Sequence, residues 1–189
     1  MINQQSPKKN VKKDFFKDDF LINRTLLIIE KFLKIHIKNQ IENGANVIQI
    51  FDSWAGSLSG TDINTYSFEP VLAIAQALKK KHPQVPIIAF PRGVGGGYEI
   101  FSKMDHISCI ALDQSVPPSW AKTLQDNIVI QGNLDPLLLV TGGAKLKTEV
   151  DHILENLTTK PFIFNLGHGI TPDANPDNVT KLLSYIRDQ

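Results

Sequence analysis

The chain has 189 residues, of which 42% are hydrophobic and 21% charged, and its formal net charge is +1 at pH 7. This composition is ordinary for a globular protein, and the small charge predicts no general attraction to nucleic acid or to a membrane surface. The length predicts one domain with a sizeable core. We find no signal-peptide pattern and no apolar run long enough to span a bilayer, and the single cysteine, Cys109, cannot form an internal disulfide. We therefore expect a reduced, soluble, cytoplasmic protein.

The first residues are polar and cationic, with four lysines close together at Lys8, Lys9, Lys12 and Lys13. Such a terminus is typically solvated and frayed, although a site for a polyanion is the alternative interpretation. The sequence therefore predicts a flexible basic segment at residues 1–17 and one folded domain at residues 18–189.

A long amphipathic helix follows this segment. From about Phe20 to Asn43, apolar residues recur at steps of three and four, and Asn43-Gly44 is typical of a left-handed helix stop. The positions expected to face the core are Ile22, Leu26, Ile29, Leu33, Ile37 and Ile41.

Short apolar runs then alternate with helical periodicity. The predicted strands are 47–51, 86–90, 107–112, 128–131 and 161–164, and the first is expected to be buried on both faces. The predicted helices are 65–81, 95–104, one opened by residues 117–118, one opened by Asp135 and Pro136, 144–157 and one capped by residues 175–177. This alternation predicts a parallel α/β sheet of about five β/α units with right-handed crossovers. A closed (β/α)8 barrel typically needs about 250 residues, so the sheet is either open or part of a barrel.

Polar side chains follow the predicted strands, where parallel α/β folds meet their ligands. Asp52 and Ser53 end the first strand and indicate a site, although spacing alone favours an ordinary turn at this position. The polar residues that the topology brings to this one edge are Asp52, Ser53, Arg92, Asp113, Asn133, Asp135 and His168.

A glycine-rich loop, residues 91–97, follows the second strand. It is not a dinucleotide-binding loop, because Tyr98 stands where the third glycine of that motif belongs, and it lacks the ending of a phosphate-binding P-loop. We interpret it as a flexible connection from strand to helix in which Arg92 could face an anion.

Ser53 and His168 are the strongest candidates for chemistry. They could act as a nucleophile and a base, but no Gly-x-Ser-x-Gly elbow surrounds Ser53, which weakens the hydrolase interpretation. His168 lies between two glycines, so a ligand could approach closely and its imidazole could bind a carboxylate. The alternative is a loop histidine bonded to a neighbouring carbonyl.

No pattern typical of a metal site is present in the sequence. The nearest cluster, residues 105–109, runs into a strand whose alternation would spread its side chains over both faces. We therefore predict no metal ligands, and we expect Cys109 to be a small buried hydrophobic residue.

Four segments, taken together, resemble the uroporphyrinogen decarboxylase family: residues 49–56 (QIFDSWAG), 90–93 (FPRG), 131–136 (QGNLDP) and 164–169 (FNLGHG). The resemblance implies a TIM (β/α)8 barrel, here incomplete with about five parallel β/α units. It also implies a cytosolic homodimer in haem and porphyrin biosynthesis. Such a carboxy-lyase removes CO2 from four acetate side chains of uroporphyrinogen III to give coproporphyrinogen III, without a cofactor or a metal.

The resemblance also assigns residues. Ser53 and His168 match the family's substrate-contacting serine and histidine, and each would contact a substrate carboxylate. Arg92 and Asp52 are possible additional contacts. In such chemistry a pyrrole protonated on carbon takes up the electrons released with CO2, so the protein's part is electrostatic.

The sequence also departs from the family pattern. It begins where the family chain has passed its first three strands, and residues 3–5 stand where a glycine pair is normal. The family's carboxylate-binding arginines, its pyrrole-facing aspartate and a tyrosine would lie before this start, and none of Arg24, Arg92 and Arg187 matches those arginines.

From these departures we expect no decarboxylase activity from the isolated chain, and we assign no catalytic residue. The alternatives are a split-enzyme or non-catalytic partner chain and a corrinoid-linked methyltransferase of the same superfamily. Five units would also leave two open sheet edges and an uncovered apolar face, so we expect aggregation or pairing.

Overall fold

The computed structural model describes residues 19–188, and the predicted basic segment 1–17 lies outside the described residues. The strands are β1 (Ile48–Asp52), β2 (Ile87–Pro91), β3 (Cys109–Ala111), β4 (Val129–Leu134) and β5 (Phe162–Leu166). The helices are α1 (Asp19–Glu42), α2 (Glu69–Lys79), α3 (Gly97–Phe101), α4 (Pro118–Leu124), α5 (Leu137–Thr141), α6 (Gly143–Leu157) and α7 (Pro176–Arg187). A 3₁₀ turn (Ala55–Ser57) and a π-helical turn (Asn64–Phe68) precede α2. None of the described helices is both long enough and apolar enough to cross a membrane.

The five strands form one parallel sheet in the order β1-β2-β3-β4-β5. Each strand therefore pairs with its neighbour in sequence, and right-handed crossovers place the connecting helices on one face. This confirms the predicted α/β fold with five parallel β/α units, and it is consistent with part of a TIM barrel. Within residues 19–188 the sheet is open, with β1 and β5 at its edges.

Two strands extend beyond their apolar runs. β4 continues from Gln131 through Leu134, and β5 continues to Leu166, because the ladder pairs Asn133 with Asn165 and Leu134 with Leu166. Pairing depends on backbone groups, so it can continue where side-chain hydrophobicity stops. β3 is shorter than predicted, with three residues in place of the six expected.

The main hydrophobic core lies between the sheet and its helices. Alternate strand residues point into it from one face of the sheet: Ile48, Ile50, Ile87, Ala89, Ile110 and Ile130. The largest side chains that meet them are almost fully buried: Phe68, Tyr98, Phe101, Leu112, Leu124 and Leu157. Because this core occupies only one face, the side chains that alternate with the core residues point to the other face.

That other face is curved and lacks a second layer of structure within residues 19–188. The prediction that β1 is buried on both faces is therefore wrong, since Phe51 is 65% exposed. Gln131 Nε2 donates a hydrogen bond to Gln49 Oε1 at 3.3 Å, although two strands lie between β1 and β4. In a flat sheet these strands would be roughly 14 Å apart, so the sheet curls, and we call this its concave face.

A small apolar cluster lies on the concave face: Ile88, Phe90, Cys109 and Ala111, with Val129 packed against it. Cys109 is buried there as expected, and burial raises the pKa of its thiol to about 12. The thiolate is the reactive form of cysteine, so this side chain acts as a packing residue.

Helix α1 packs against the rest of the chain mainly through its second half. Ile37 is buried and Ile41 packs against the core, and Gly44 ends the helix with a φ of 102° as predicted. The prediction that Ile29 and Leu33 face the core is wrong, because both are exposed. The exposed large apolar residues of this helix are Phe20, Leu21, Leu27, Ile28, Ile29, Phe32, Leu33 and Ile35, which we call the α1 surface.

The last helix follows its predicted cap. The Asn175 side chain accepts a hydrogen bond from the Asp177 backbone N–H at 2.9 Å. Leu182 is buried, and Val179 and Ile186 pack against the core as predicted, whereas Leu183 is exposed. The face of α7 that packs against the core is therefore narrower than the sequence predicts.

Candidate functional site

The loops after β1 and β2 are joined backbone to backbone. The Arg92 N–H donates to the Asp52 carbonyl at 3.0 Å, and the Gly56 N–H donates to the Arg92 carbonyl at 2.9 Å. A methyl group on Gly56 would lie 2.4 Å from the Gly93 carbonyl oxygen. Glycine is therefore required at position 56 for these two loops to approach each other.

Asp113, at the end of β3, fixes the next loop. Its carboxylate accepts hydrogen bonds from the Gly93 backbone N–H at 2.7 Å, the Tyr98 hydroxyl at 2.7 Å, and both the N–H and the hydroxyl of Ser115. Asp113 is only 3% exposed. One buried carboxylate thus connects the loop after β2, helix α3 and the loop after β3.

The protonation states of this cluster follow from its surroundings. Burial alone would raise the pKa of Asp113, but the hydrogen bonds from Ser115, Tyr98 and Gly93 outweigh it and hold that pKa below its ordinary value. Burial and the adjacent Asp113 charge raise the pKa of the Tyr98 phenol. At neutral pH the carboxylate is therefore charged and the phenol keeps its proton for donation.

Ser53 and Arg92 line a cavity of about 310 Å³ above these loops, which we call the Ser53 cavity. Its lining residues are Ser53, Trp54, Gly56, Ser57, Arg92, Gly93, Asp113, Gln114 and Ser115. Arg92 is half-buried and forms no ion pair with any residue of 19–188. Asp113 is the acidic residue in the same cavity lining, and its carboxylate already accepts hydrogen bonds from four other donors. The Arg92 guanidinium is therefore available to an anionic ligand.

His168 lines a different cavity, of about 350 Å³, on the concave face. The lining of this His168 cavity is Gln49, Phe51, Phe90, Ala111, Gln131, Asn165, Leu166, His168, Gly169 and Ile170. The His168 ring packs edge-on against Phe90 with their centroids 6.3 Å apart. Its Nδ1 accepts a hydrogen bond from the Gly169 N–H at 2.6 Å, so in the neutral ring Nε2 carries the proton and can donate to a ligand.

The structure brings Ser53 together with Arg92 but not with His168. No residue lines both cavities, and no hydrogen bond joins Ser53 to His168 in the described part of the chain. The geometry therefore gives no support to a nucleophile–base pair. The Asp52 side chain lines neither cavity, and Asp52 contacts Arg92 through its backbone carbonyl.

The loop after β5 closes against the loop after β3. The Gly167 N–H donates to the Leu134 carbonyl at 2.7 Å. A methyl group on Gly167 would lie 2.3 Å from the Gln114 nitrogen, which is backbone and cannot move aside as a side chain would. Gly167 therefore lets the loop that carries His168 lie beside the wall of the Ser53 cavity.

The structure adds three residues to the site that were not assigned from the sequence, namely Asp113, Gln49 and Gln131. Asp113 belongs to the strand-end pattern, but the residues that make it central are 15 and 20 positions away in Tyr98 and Gly93. Gln49 and Gln131 lie inside apolar strands, where sequence gives no sign that they share a cavity. Among residues 19–188 there is no group of three His, Cys, Asp or Glu side chains able to hold a metal ion.

Comparison with known proteins decides the family. The family model described as "Uroporphyrinogen decarboxylase (URO-D)" matches residues 1–189. The chain belongs to the uroporphyrinogen decarboxylase family. This confirms the resemblance carried by the four sequence segments, and it makes the chain a member of a carboxy-lyase family.

Curated relatives agree with this assignment. The chain is 48% identical over 153 residues to the uroporphyrinogen decarboxylase of Paracoccus denitrificans, which is 80% of this chain and 45% of that protein. It is 48% identical over 155 residues to the enzyme of Roseobacter denitrificans, and the match covers 82% of this chain and 45% of that protein. It is 49% identical over 153 residues to the enzyme of Ruegeria pomeroyi, and the match covers 80% of this chain and 44% of that protein. The chain thus spans less than half the length of these relatives.

The first prediction concerns the closure at Gly167. We expect Gly167→Ala to lower the free energy of unfolding by about 1–3 kcal/mol, because the methyl group meets backbone atoms that must move. Gly169→Ala is the matched control, since nothing lies within 4 Å of its added Cβ. Urea denaturation of both purified variants measures the difference, and equal midpoints would show that the loops are not in contact.

The second prediction concerns the Asp113 carboxylate. We expect Asp113→Asn to lower the free energy of unfolding by about 1–3 kcal/mol at neutral pH, because buried donors lose a charged acceptor. Since the folded pKa is depressed, this stabilisation is fully present above the ordinary value of 3.8 and is lost as the pH falls through the folded pKa. Denaturation at pH 7 and at progressively lower pH should therefore show the difference between wild type and variant shrinking below about pH 4. Asp173→Asn, at an exposed position, should show neither effect.

Proposed function

We propose that this chain supplies the carboxyl-terminal β/α part of a uroporphyrinogen decarboxylase. The enzyme would convert uroporphyrinogen III to coproporphyrinogen III by removing CO2 from four acetate side chains, in haem and porphyrin biosynthesis. We further propose a cytoplasmic homodimer that uses neither a cofactor nor a metal. The observation that carries the proposal is the pair of cavities beside the carboxyl ends of the strands, one lined by Ser53 and Arg92 and the other by His168.

The proposed chemistry uses the substrate as its own electron sink. Protonation of a pyrrole carbon prepares the ring, the bond between the methylene carbon and the carboxylate breaks, and its electron pair enters the cationic ring. CO2 leaves, and a proton delivered to the former methylene carbon gives the methyl group. Loss of the proton first added to the ring carbon then restores the aromatic pyrrole, so one proton is taken up for each CO2 released. The protein must therefore orient carboxylates and stabilise a positive ring, which is electrostatic work done by preorganised groups.

The residues of this chain are suited to orienting the substrate carboxylates. The Ser53 hydroxyl would donate to one substrate carboxylate, and Arg92 would pair with a carboxylate in the same cavity. His168 would donate from Nε2 to a second carboxylate, because its Nδ1 is held by the Gly169 N–H. Asp52 would position Arg92 through its carbonyl oxygen. Ser53, Arg92 and His168 carry no negative charge that could stabilise a pyrrolic cation, and the Asp52 carboxylate lines neither cavity.

The site therefore needs further elements, and the surface of the chain supports the same conclusion. A helix that is apolar around most of its circumference is normally covered, yet the α1 surface is exposed, with Phe20 at 75%. The adjacent strand β1 is a sheet edge whose outer backbone groups could pair with another parallel strand. We infer that additional β/α units cover both in the active enzyme.

The third prediction tests the activity. We expect the purified chain alone to give no turnover of uroporphyrinogen, and turnover to appear with the part of the Paracoccus denitrificans relative that this chain does not match. In that complex, Ser53→Ala and His168→Ala should each lower kcat/KM roughly 10–100-fold, the effect of losing one hydrogen bond to a charged group. His152→Ala, exposed on α6, is the control. Turnover by the chain alone, or full activity in both variants, would contradict the proposal.

A second candidate function is a partner chain that acts only in a complex with a separate polypeptide, and the exposed α1 surface is the observation that favours it. Nothing in the described residues favours a corrinoid-linked methyltransferase.

The fourth prediction tests this pairing. We expect the double variant Leu27→Glu and Phe32→Glu to fold like wild type, because both side chains are exposed, and to lose association with the complementary part. Ile100→Glu, an exposed apolar position on α3, should associate normally. Size-exclusion chromatography with light scattering distinguishes the heterocomplex from homodimers. Association that survives the α1 charges would show that another surface makes the contact.

A further inference from the structure

A third cavity, of about 330 Å³, opens between helices α6 and α7. We call it the α6–α7 cavity. The residues that line it recur at steps of i, i+3, i+4 and i+7 on both helices, so each helix presents one face to it. They are Gly143, Leu146, Lys147 and Val150 from α6, and Asn178, Lys181, Leu182 and Tyr185 from α7. None of them lines the Ser53 cavity or the His168 cavity, so this cavity is separate from the site at the strand ends.

The floor of the α6–α7 cavity is apolar and belongs to the main core. Leu146, Val150 and Leu182 are buried there, and Tyr185 packs against them as part of the same core. The Tyr185 hydroxyl donates a hydrogen bond to the Asp151 carboxylate, which fixes the orientation of the ring. The cavity is therefore preformed, and its volume lies within the range of roughly 300–1,000 Å³ that is typical of small-molecule sites.

Two lysines, one from each helix, supply the charge of this cavity. Lys147 and Lys181 are exposed, and neither forms an ion pair with any residue of 19–188. The Lys147 Nζ lies 4.8 Å from the centroid of the Tyr185 ring, so its ammonium group is held over the apolar floor. Asp151 lies outside the lining, and the described residues that form the lining include no acidic side chain. Two cations therefore border an apolar surface without a counter-charge in the lining.

The beginning of α6 adds a smaller contribution of the same sign. Gly143, its first residue, lies in the lining. The first turn contains no acidic residue, and no side chain caps the helix within the described part of the chain. The first N–H groups of a helix have no partner inside it and carry partial positive charge. This end of the helix therefore reinforces the attraction that the two lysines exert on an anion.

We propose that the α6–α7 cavity binds a small organic anion with an apolar body, namely an aromatic ring that carries a carboxylate or a phosphate group. The apolar body covers Leu146, Val150 and Leu182, and burial of both surfaces drives its binding. The anionic group pairs with Lys147 and Lys181. The inference is independent of the proposed function, because the two cavities at the strand ends contribute no residue to this one.

A purely structural role for the two lysines makes a different prediction. If their alkyl chains only cover the apolar floor, the chain has no preference for an anion over a neutral compound of the same shape. If the ammonium groups bind the ligand, the preference for an anion depends on both charges and weakens as salt screens them. A comparison of charged and neutral compounds therefore separates the two roles.

The test uses naphthalene carboxylate, naphthyl phosphate and the neutral naphthalene carboxamide, each titrated into the full chain by calorimetry. We expect wild type to bind at least one anion about 3–10-fold more tightly than the carboxamide, the range for two partly exposed ion pairs. The double variant Lys147→Gln and Lys181→Gln should bind all three compounds equally. The double variant Lys147→Arg and Lys181→Arg keeps both charges and should retain the preference.

The matched control is the double variant Lys80→Gln and Lys81→Gln, which makes the same change in net charge at two exposed positions after α2. It should keep the wild-type preference. Urea denaturation should give equal midpoints for all these proteins, because every substituted side chain is exposed. Amide chemical-shift mapping locates the bound anion, and it should show changes at Gly143 and Leu182 but none at His168.

The outcomes are distinct. A preference for an anion that the glutamine variant at Lys147 and Lys181 abolishes and the arginine variant retains, with shift changes at this cavity, supports the site. The relative affinities of the carboxylate and the phosphate then identify the anionic group. Absence of binding or of a preference in wild type, a preference that persists in the glutamine variant, or shift changes confined to the strand-end cavities would each overturn the proposal.

Discussion

The cavities at the strand ends depend on one buried charge. The Asp113 carboxylate accepts bonds from three segments that are otherwise separate in sequence, the loop after β2, helix α3 and its own loop. A buried carboxylate is stable only when its oxygens are satisfied, so its four donors must assemble around it as the chain folds. Gly56 and Gly167 then let the flanking loops approach the Asp113 assembly on either side. The position of Arg92 and the loop of His168 both follow from this arrangement.

The one-sided sheet explains why the site lies where it does. A sequential parallel order places the helices on one face, so the opposite face receives no layer from residues 19–188 and curls toward itself. Curling brings Gln49 to Gln131 across two strands and turns apolar strand residues into the walls of a cavity. Phe51 on this face is exposed, as is the α1 surface on the helical side, and under the proposed function further elements of a longer barrel would cover both.

Local patterns in the sequence were sufficient for most of the architecture. The apolar periodicity, Gly44 and the Asn175 cap locate helices because each acts within a few residues of its own position. Exposure was not predictable at Ile29 and Leu33, because helical periodicity states which residues share a face but not what covers that face. The contacts of Asp113 with Tyr98, and of Gln131 with Gln49, join residues 15 and 82 positions apart, and no spacing rule reaches that far. Family resemblance selected Ser53 and His168 as candidates, and the structure separates them into two cavities.

Charge balance decides how much of the reaction this chain can support. Of the ligand-facing groups in the two cavities, Arg92 is a permanent cation, whereas Ser53 offers a single hydroxyl donor and His168 a single N–H donor from Nε2. Hydrogen bonds from neutral donors orient a carboxylate without neutralising it, and a polyanionic substrate brought to such a surface would retain most of its self-repulsion. Asp113 cannot serve as the counter-charge for a pyrrolic cation, because its oxygens are occupied by the donors that build the site. Under the proposed function, the residues described here would orient one or two arms of a substrate, and the groups that stabilise charge during CO2 loss would come from the additional β/α units that we infer.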